Sequence, residues 1–137
     1  MADTVFEQFI SENLIKSNLI SGSLLLSKQG HVMYKYGDLK NLSQENIAQL
    51  LGLFDRVSDT ESYADKDVNL SSSKGRKIKY KVYHKTFSSM YATSSEGNGG
   101  LTVCNLPYGV LVCTYDSHTR VGEAVKAIEY FCDIMRR

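Results

Sequence analysis

The chain has no tryptophan, a single proline, three cysteines and almost no excess of charge. Each shortage excludes something. Without tryptophan, any aromatic groove lacks the strongest stacking platform and its ring N–H donor. Cys104, Cys113 and Cys132 stand in apolar surroundings, an odd number with no CxxC spacing. That pattern argues against a disulfide scaffold and fits a reducing compartment. A membrane-crossing helix needs roughly 20 apolar residues, and the apolar runs here are far shorter. With 16 basic against 15 acidic residues the formal net charge is +1, so nothing draws the whole molecule toward nucleic acid or an acidic membrane. Met1-Ala2-Asp3-Thr4 carries acid early and lacks a basic-then-apolar signal pattern, which with the unpaired cysteines predicts a cytoplasmic protein.

What is present suits one folded domain. At 137 residues, 42% apolar and 23% charged, the chain can bury a sizeable core. Val5, Phe6, Phe9, Ile10, Leu14 and Ile15 recur at helical spacing and predict a helix over residues 4–19. Ser23 to Ser27 and His31 to Tyr36 read as a hairpin about the turn Lys28-Gln29-Gly30. Ser43 caps a second helix whose buried stripe is Ile47, Leu50, Leu51 and Phe54. Asp55 to Asp67 holds five acidic and two basic residues with little apolar content, the composition of a solvated loop.

From Lys77 to Lys85 the chain alternates. Lys77, Lys79, Lys81, Tyr83 and Lys85 are expected on one side, with Ile78, Tyr80, Val82 and His84 on the other. Ser88–Ala92, Gly100–Cys104 and Val110–Tyr115 continue a meander through Gly97-Asn98-Gly99 and Leu106-Pro107-Tyr108-Gly109. A closing helix, roughly Thr119 to Arg136, is expected to bury Val121, Ala124, Val125, Ile128, Phe131, Cys132 and Met135. Strands bracketed by terminal helices give an α+β domain with a central antiparallel sheet of about six to seven strands, the two end helices on one face.

Catalytic chemistry finds little support. The cysteines fall on strand and buried-stripe positions, where they act as small hydrophobes. His31, His84 and His118 share no metal spacing with one another or with the cysteines. Gly97-Asn98-Gly99-Gly100 matches neither GxGxxG nor GxxxxGK[ST] and precedes a strand, so it reads as a turn needing positive φ. No enzyme, cofactor or metal is expected. The concentrated feature is basic: Lys74, Arg76, Lys77, Lys79, Lys81 and Lys85. Such lysines either protect a sheet edge or form a docking surface for an acidic partner or phosphoinositide headgroups.

The order of elements and several segments resemble the profilin family over nearly the whole chain. The carrying residues are Phe6-Glu7-Gln8-Phe9-Ile10, Ser23-Leu24-Leu25-Leu26 with Lys28-Gln29-Gly30-His31-Val32, Lys79-Tyr80-Lys81-Val82-Tyr83, and Leu111-Val112-Cys113-Thr114-Tyr115-Asp116. The most specific is Gly97-Asn98-Gly99-Gly100-Leu101-Thr102-Val103. The resemblance is to divergent members. It implies a monomeric protein that binds monomeric actin and regulates actin polymerisation, with phosphoinositide binding as a further property and proline-rich peptides as further partners.

Carried over by position, the actin face comprises Lys79, Lys81, Tyr83, Met90, Thr93, Arg120, Glu123, Lys126 and Glu129. The phosphoinositide set is Lys74, Arg76, Lys77 and Lys85. The polyproline groove falls on Phe6, Phe9, Met33, Tyr130 and Ile134. Met33 stands where an indole is typical and Ile134 where a histidine is common, so weak or absent polyproline binding is expected. Two other readings fit the same elements: a dimerising adaptor of the roadblock or longin kind, and a phosphoinositide-binding domain without actin activity.

Overall fold

Alternating and helical segments assemble into an antiparallel sheet in the computed structural model, which describes residues 8, 10–12, 14, 19–37, 39–40, 42–52, 67–71, 77–86, 88–94, 99–116 and 120–136. In chain order the elements are β1 (Gly22–Ser27), β2 (Val32–Gly37), α1 (Gln44–Gly52), β3 (Asp67–Ser71), β4 (Lys77–Lys85), β5 (Ser89–Ser94), β6 (Gly100–Leu106), β7 (Gly109–Tyr115) and α2 (Val121–Met135). Gln8 and residues 10–12 are also helical. Among the described residues the sheet has seven strands in the order β2-β1-β7-β6-β5-β4-β3, every pair antiparallel. The crossover pairs β1 with β7, setting Leu24 opposite Val112 and Leu25 opposite Leu111.

Period-2 alternation sends successive residues to opposite faces, and each face has its own core. On one, Leu24, Leu26, Val68, Val82, Met90, Leu101 and Val112 pack with Ile47 and Leu50 of α1. On the other, Leu25, Leu111, Cys113 and Tyr115 pack with Ile10 and Leu14 and with Ala124, Ile128, Phe131 and Cys132 of α2. The terminal helical segments therefore share one face and α1 covers the other. With helices on both sides, β7 (GVLVCTY) is buried at every position and reads as a continuous apolar run.

The structure departs from the sequence expectations in four places. Leu19, the expected last residue of the first helix, is not helical and Leu14 is in a turn, while residues 15–18 lie outside the described residues. β3 occupies a segment without a strand assignment; Val68 and Leu70 alternate with Asn69, a pattern masked by the acidic stretch beside it. Val121 is 46% exposed, because it begins α2 where the helix has not yet reached the sheet. His84 is exposed, not turned inward with Tyr80 and Val82. Phe54, residues 53–66 and the start of the glycine turn at 97–98 lie outside the described residues.

The described end of that glycine turn shows why it is glycine. Gly99 has φ +113° and a Cβ there would meet the Tyr115 carbonyl oxygen at 2.0 Å; at Gly100 a Cβ would meet the Tyr115 ring at 2.5 Å. Any side chain at either position displaces β7.

Candidate functional site

Helix α2 packs on β6 and β7, which leaves the outer half of its sheet face bare. Strand β4 supplies that bare surface: Lys77, Lys79 and Lys81 are exposed, and Tyr83 is 49% exposed. Thr93 stands opposite Lys81 across the β4–β5 ladder, and it too is exposed. Opposed residues in an antiparallel pair share a face, so Lys79, Lys81 and Thr93 lie on one surface.

The alternation breaks at a bulge. Val82 pairs with Ala92 but His84 pairs with Tyr91, so Tyr83 and His84 together oppose one residue. Strict alternation would have buried the His84 imidazole beside Val82, a costly desolvation without a partner. The bulge turns it outward. Both rings then stack on Tyr91, His84 with centroids 5.7 Å apart and planes 9° apart, Tyr83 at 6.4 Å and 26°.

Tyr91 is held from beneath. Its hydroxyl donates to Glu129 Oε1 at 2.9 Å, and the Ser89 hydroxyl donates to the same oxygen at 2.8 Å. The Cys104 thiol lies 3.6 Å from it. Burial, then the hydrogen bond and charge of Glu129, push the Tyr91 phenol well above its ordinary range. Charge-assisted bonds of this kind are shorter and stronger than neutral ones, so Glu129 fastens α2 to β5. At its far end Arg136 donates to the carbonyls of Ser88 at 3.0 Å and Asn105 at 3.2 Å. With Arg136 at Ser88 and Glu129 at Tyr91, α2 runs back along β5, which directs Lys126 and Glu123 toward the Thr93 end. Both are exposed. Arg120 and Glu123 form an exposed ion pair at 3.6 Å, an arrangement of little energetic weight.

Of the residues expected on this face, Met90 lies on the opposite one and Glu129 is engaged within the fold. Met90 is 1% exposed within the core under α1; it and Thr93 are an odd number of residues apart on β5, so they cannot share a face. Glu129 is only partly accessible, and its carboxylate is engaged with Ser89 and Tyr91. Sequence reasoning missed His84 and Tyr91. Tyr91 and Thr93 stand two residues apart on β5 and share a face, but nothing in the residue types announces the bulge that gathers the three rings.

Of the phosphoinositide set, Lys77 and Lys85 lie among the described residues. Lys74 and Arg76 lie outside the described residues. Lys77 and Lys85 close opposite ends of β4, roughly 26 Å apart at about 3.3 Å per residue. Past the bulge, Lys85 pairs with Met90 and so lies on the α1 side. In the polyproline set, Phe6 and Phe9 lie outside the described residues. Met33 is partly buried against the terminal-helix core, Tyr130 is 70% exposed, and Ile134 follows one turn later, half-buried.

The three cysteines are free and buried. Contact with the Cys132 thiol, then burial, raises the Cys104 thiol well above its usual value, and burial raises Cys113 as well. These thiols are the reverse of activated nucleophiles. Among the described residues no group of three or more His, Cys, Asp or Glu is placed to hold a metal ion.

Comparison with known proteins follows this geometry. The family model described as Profilin matches residues 4–137. No curated protein sequence matches. Among solved structures, Acanthamoeba castellanii profilin IA superposes with TM-score 0.76 at 15% identity, covering 96% of both chains. Schizosaccharomyces pombe profilin superposes at 0.75 with 22% identity, covering 93% of this chain and 94% of its own. LokiProfilin1, solved in complex with rabbit actin, superposes at 0.68 with 18% identity, covering 94% of this chain and 92% of its own.

Proposed function

The chain belongs to the profilin family, and on that premise we propose that it binds monomeric actin and regulates actin polymerisation without catalysing a reaction. The observation that carries this reading is the uncovered basic half of the sheet beside α2: Lys79, Lys81, Tyr83 and Thr93 on the strands, with Arg120, Glu123 and Lys126 on the adjoining helix. LokiProfilin1 and LokiProfilin2 have each been solved in complex with rabbit actin, which supports actin as the partner class. An interface of standard size, about 1,600 Å² in total, sustains micromolar or tighter binding when its anchors are well packed.

Polymerisation followed by actin fluorescence, with barbed ends free and then capped, tests the proposal. Dose-dependent suppression of spontaneous nucleation is the expected result. No effect at tens of micromolar protein would refute it. The double charge reversal Lys79→Glu/Lys81→Glu should slow association on the order of tenfold at low salt, because attraction to an acidic partner surface is replaced by like-charge repulsion. Polyproline binding is proposed to be weak or absent, since the groove positions offer Met33 and Ile134 in place of ring donors. A chemical-shift footprint on Phe6 and Phe9 with a decaproline peptide at sub-millimolar concentration would overturn that part. The scattered positions of Lys77 and Lys85 give no comparable support to a phosphoinositide site.

A further inference from the structure

The geometry points to the Tyr83–Tyr91–His84 stack as the anchor of the partner-binding face, a rigid aromatic plate that receives an apolar protrusion flanked by carboxylates on monomeric actin. This inference rests on the actin-binding reading above and assigns within that face the residues that carry most of the affinity.

Three observations support it. The first is preorganisation. Tyr91 is fixed by its hydroxyl bond to Glu129, and both neighbouring rings lie against it. A plate held in this way loses little conformational freedom on binding, and rigid aromatics are the residues that dominate interface energetics. The lysines beside it are long, flexible and hydrated, and tune association rate more than residence time.

The second is exposed ring surface. Tyr83 is one of four large hydrophobics exposed among the described residues, and His84 is exposed beside it. The β4 bulge removes His84 from the core side and adds it to the plate. A bulge of this kind re-aims a side chain. The third is charge. Lys79 and Lys81 precede the plate on β4 and Lys126 is exposed on α2; the exposed Glu123 is offset by its ion pair with Arg120, so the face stays cationic. A partner that fits this surface presents negative charge around an apolar contact, which is the commitment made here.

Titration of rabbit monomeric actin, read by fluorescence anisotropy at low and at high salt, tests the assignment. The double variant Tyr83→Ala/His84→Ala should lose roughly tenfold to a hundredfold in affinity at both salt concentrations, as expected for an anchor. The pair Lys79→Glu/Lys81→Glu should lose affinity chiefly at low salt. Tyr83→Phe/His84→Phe keeps the rings and should bind as the unaltered protein does. A thermal midpoint within a few degrees of the unaltered protein ensures that each variant is folded. If the unaltered protein binds actin and the alanine pair binds equally well, the anchor assignment fails while the actin reading stands. If the alanine pair loses only adsorption to vesicles containing phosphoinositide, the plate serves lipid and the assignment also fails. If the unaltered protein binds no actin, the underlying reading fails and the anchor with it.

Discussion

Strands β7 and β4 belong to one sheet and follow opposite rules. Every residue of β7 is buried, because α2 and the N-terminal segment cover one face and the α1-side core fills the other. In β4 only Tyr80 and Val82 are buried, while Lys77, Lys79, Lys81, Tyr83 and His84 remain exposed. The difference is set by how far a helix reaches. α2 covers β6 and β7 and stops at the Glu129 link to β5. Stability is concentrated where both faces are covered, and the surface available to a partner begins where that cover ends.

Perturbing the two strands should therefore give unlike outcomes. Leu111→Ala empties a fully buried site and should cost about 2–5 kcal/mol of unfolding free energy in urea titrations. A cost below about 1 kcal/mol would mean that β7 is not the centre of the core. Raising the pH should have the next largest effect. Burial pushes the Tyr115 phenol up to about 12, partly offset by the Thr102 hydroxyl. The folded state thus holds this proton more tightly than the unfolded chain does. Its contribution is fully present below the ordinary tyrosine pKa of about 10 and is lost as pH rises through about 12. The urea midpoint should fall between pH 10 and 12, and Tyr115→Phe should flatten that fall.

Smaller effects complete the contrast. The buried thiols should resist a disulfide reagent at neutral pH in the folded protein and react fully in denaturant; rapid native labelling of Cys104 or Cys113 would contradict their raised pKa values. Lys81→Ala on the bare face should change stability by less than about 0.5 kcal/mol, measured in the same urea titration.

Much of this contrast is legible in the chain, and the illegible part has a physical cause. The segment Val110–Tyr115 is legible as a strand, and Lys77-Ile78-Lys79-Tyr80-Lys81 as one that is half-bare; that the first is covered on both faces follows from the helices packed over it. β3 was hidden because two inward apolar residues, Val68 and Leu70, are too few to stand out beside a polar, acidic stretch. Met90 was misplaced because position within a family motif was given more weight than parity along β5. Family position puts Glu129 on the actin face, and helical spacing alone does not show that it stops at the edge of β5 and bonds there.

By itself the sequence determined the α+β class, the antiparallel meander, the basic face of β4 and the need for glycine at the turn before β6. These are local properties, fixed by the period of apolar residues and by backbone conformations that only certain residues adopt. The tertiary structure alone decided the bulge at Tyr83, the gathering of His84 and Tyr91 into one plate, the engagement of Glu129 and the turning of Lys85 to the α1 side. Each depends on register between strands and on where α2 ends over the sheet. Those are contacts between residues distant in the chain, which no pattern along a single segment encodes.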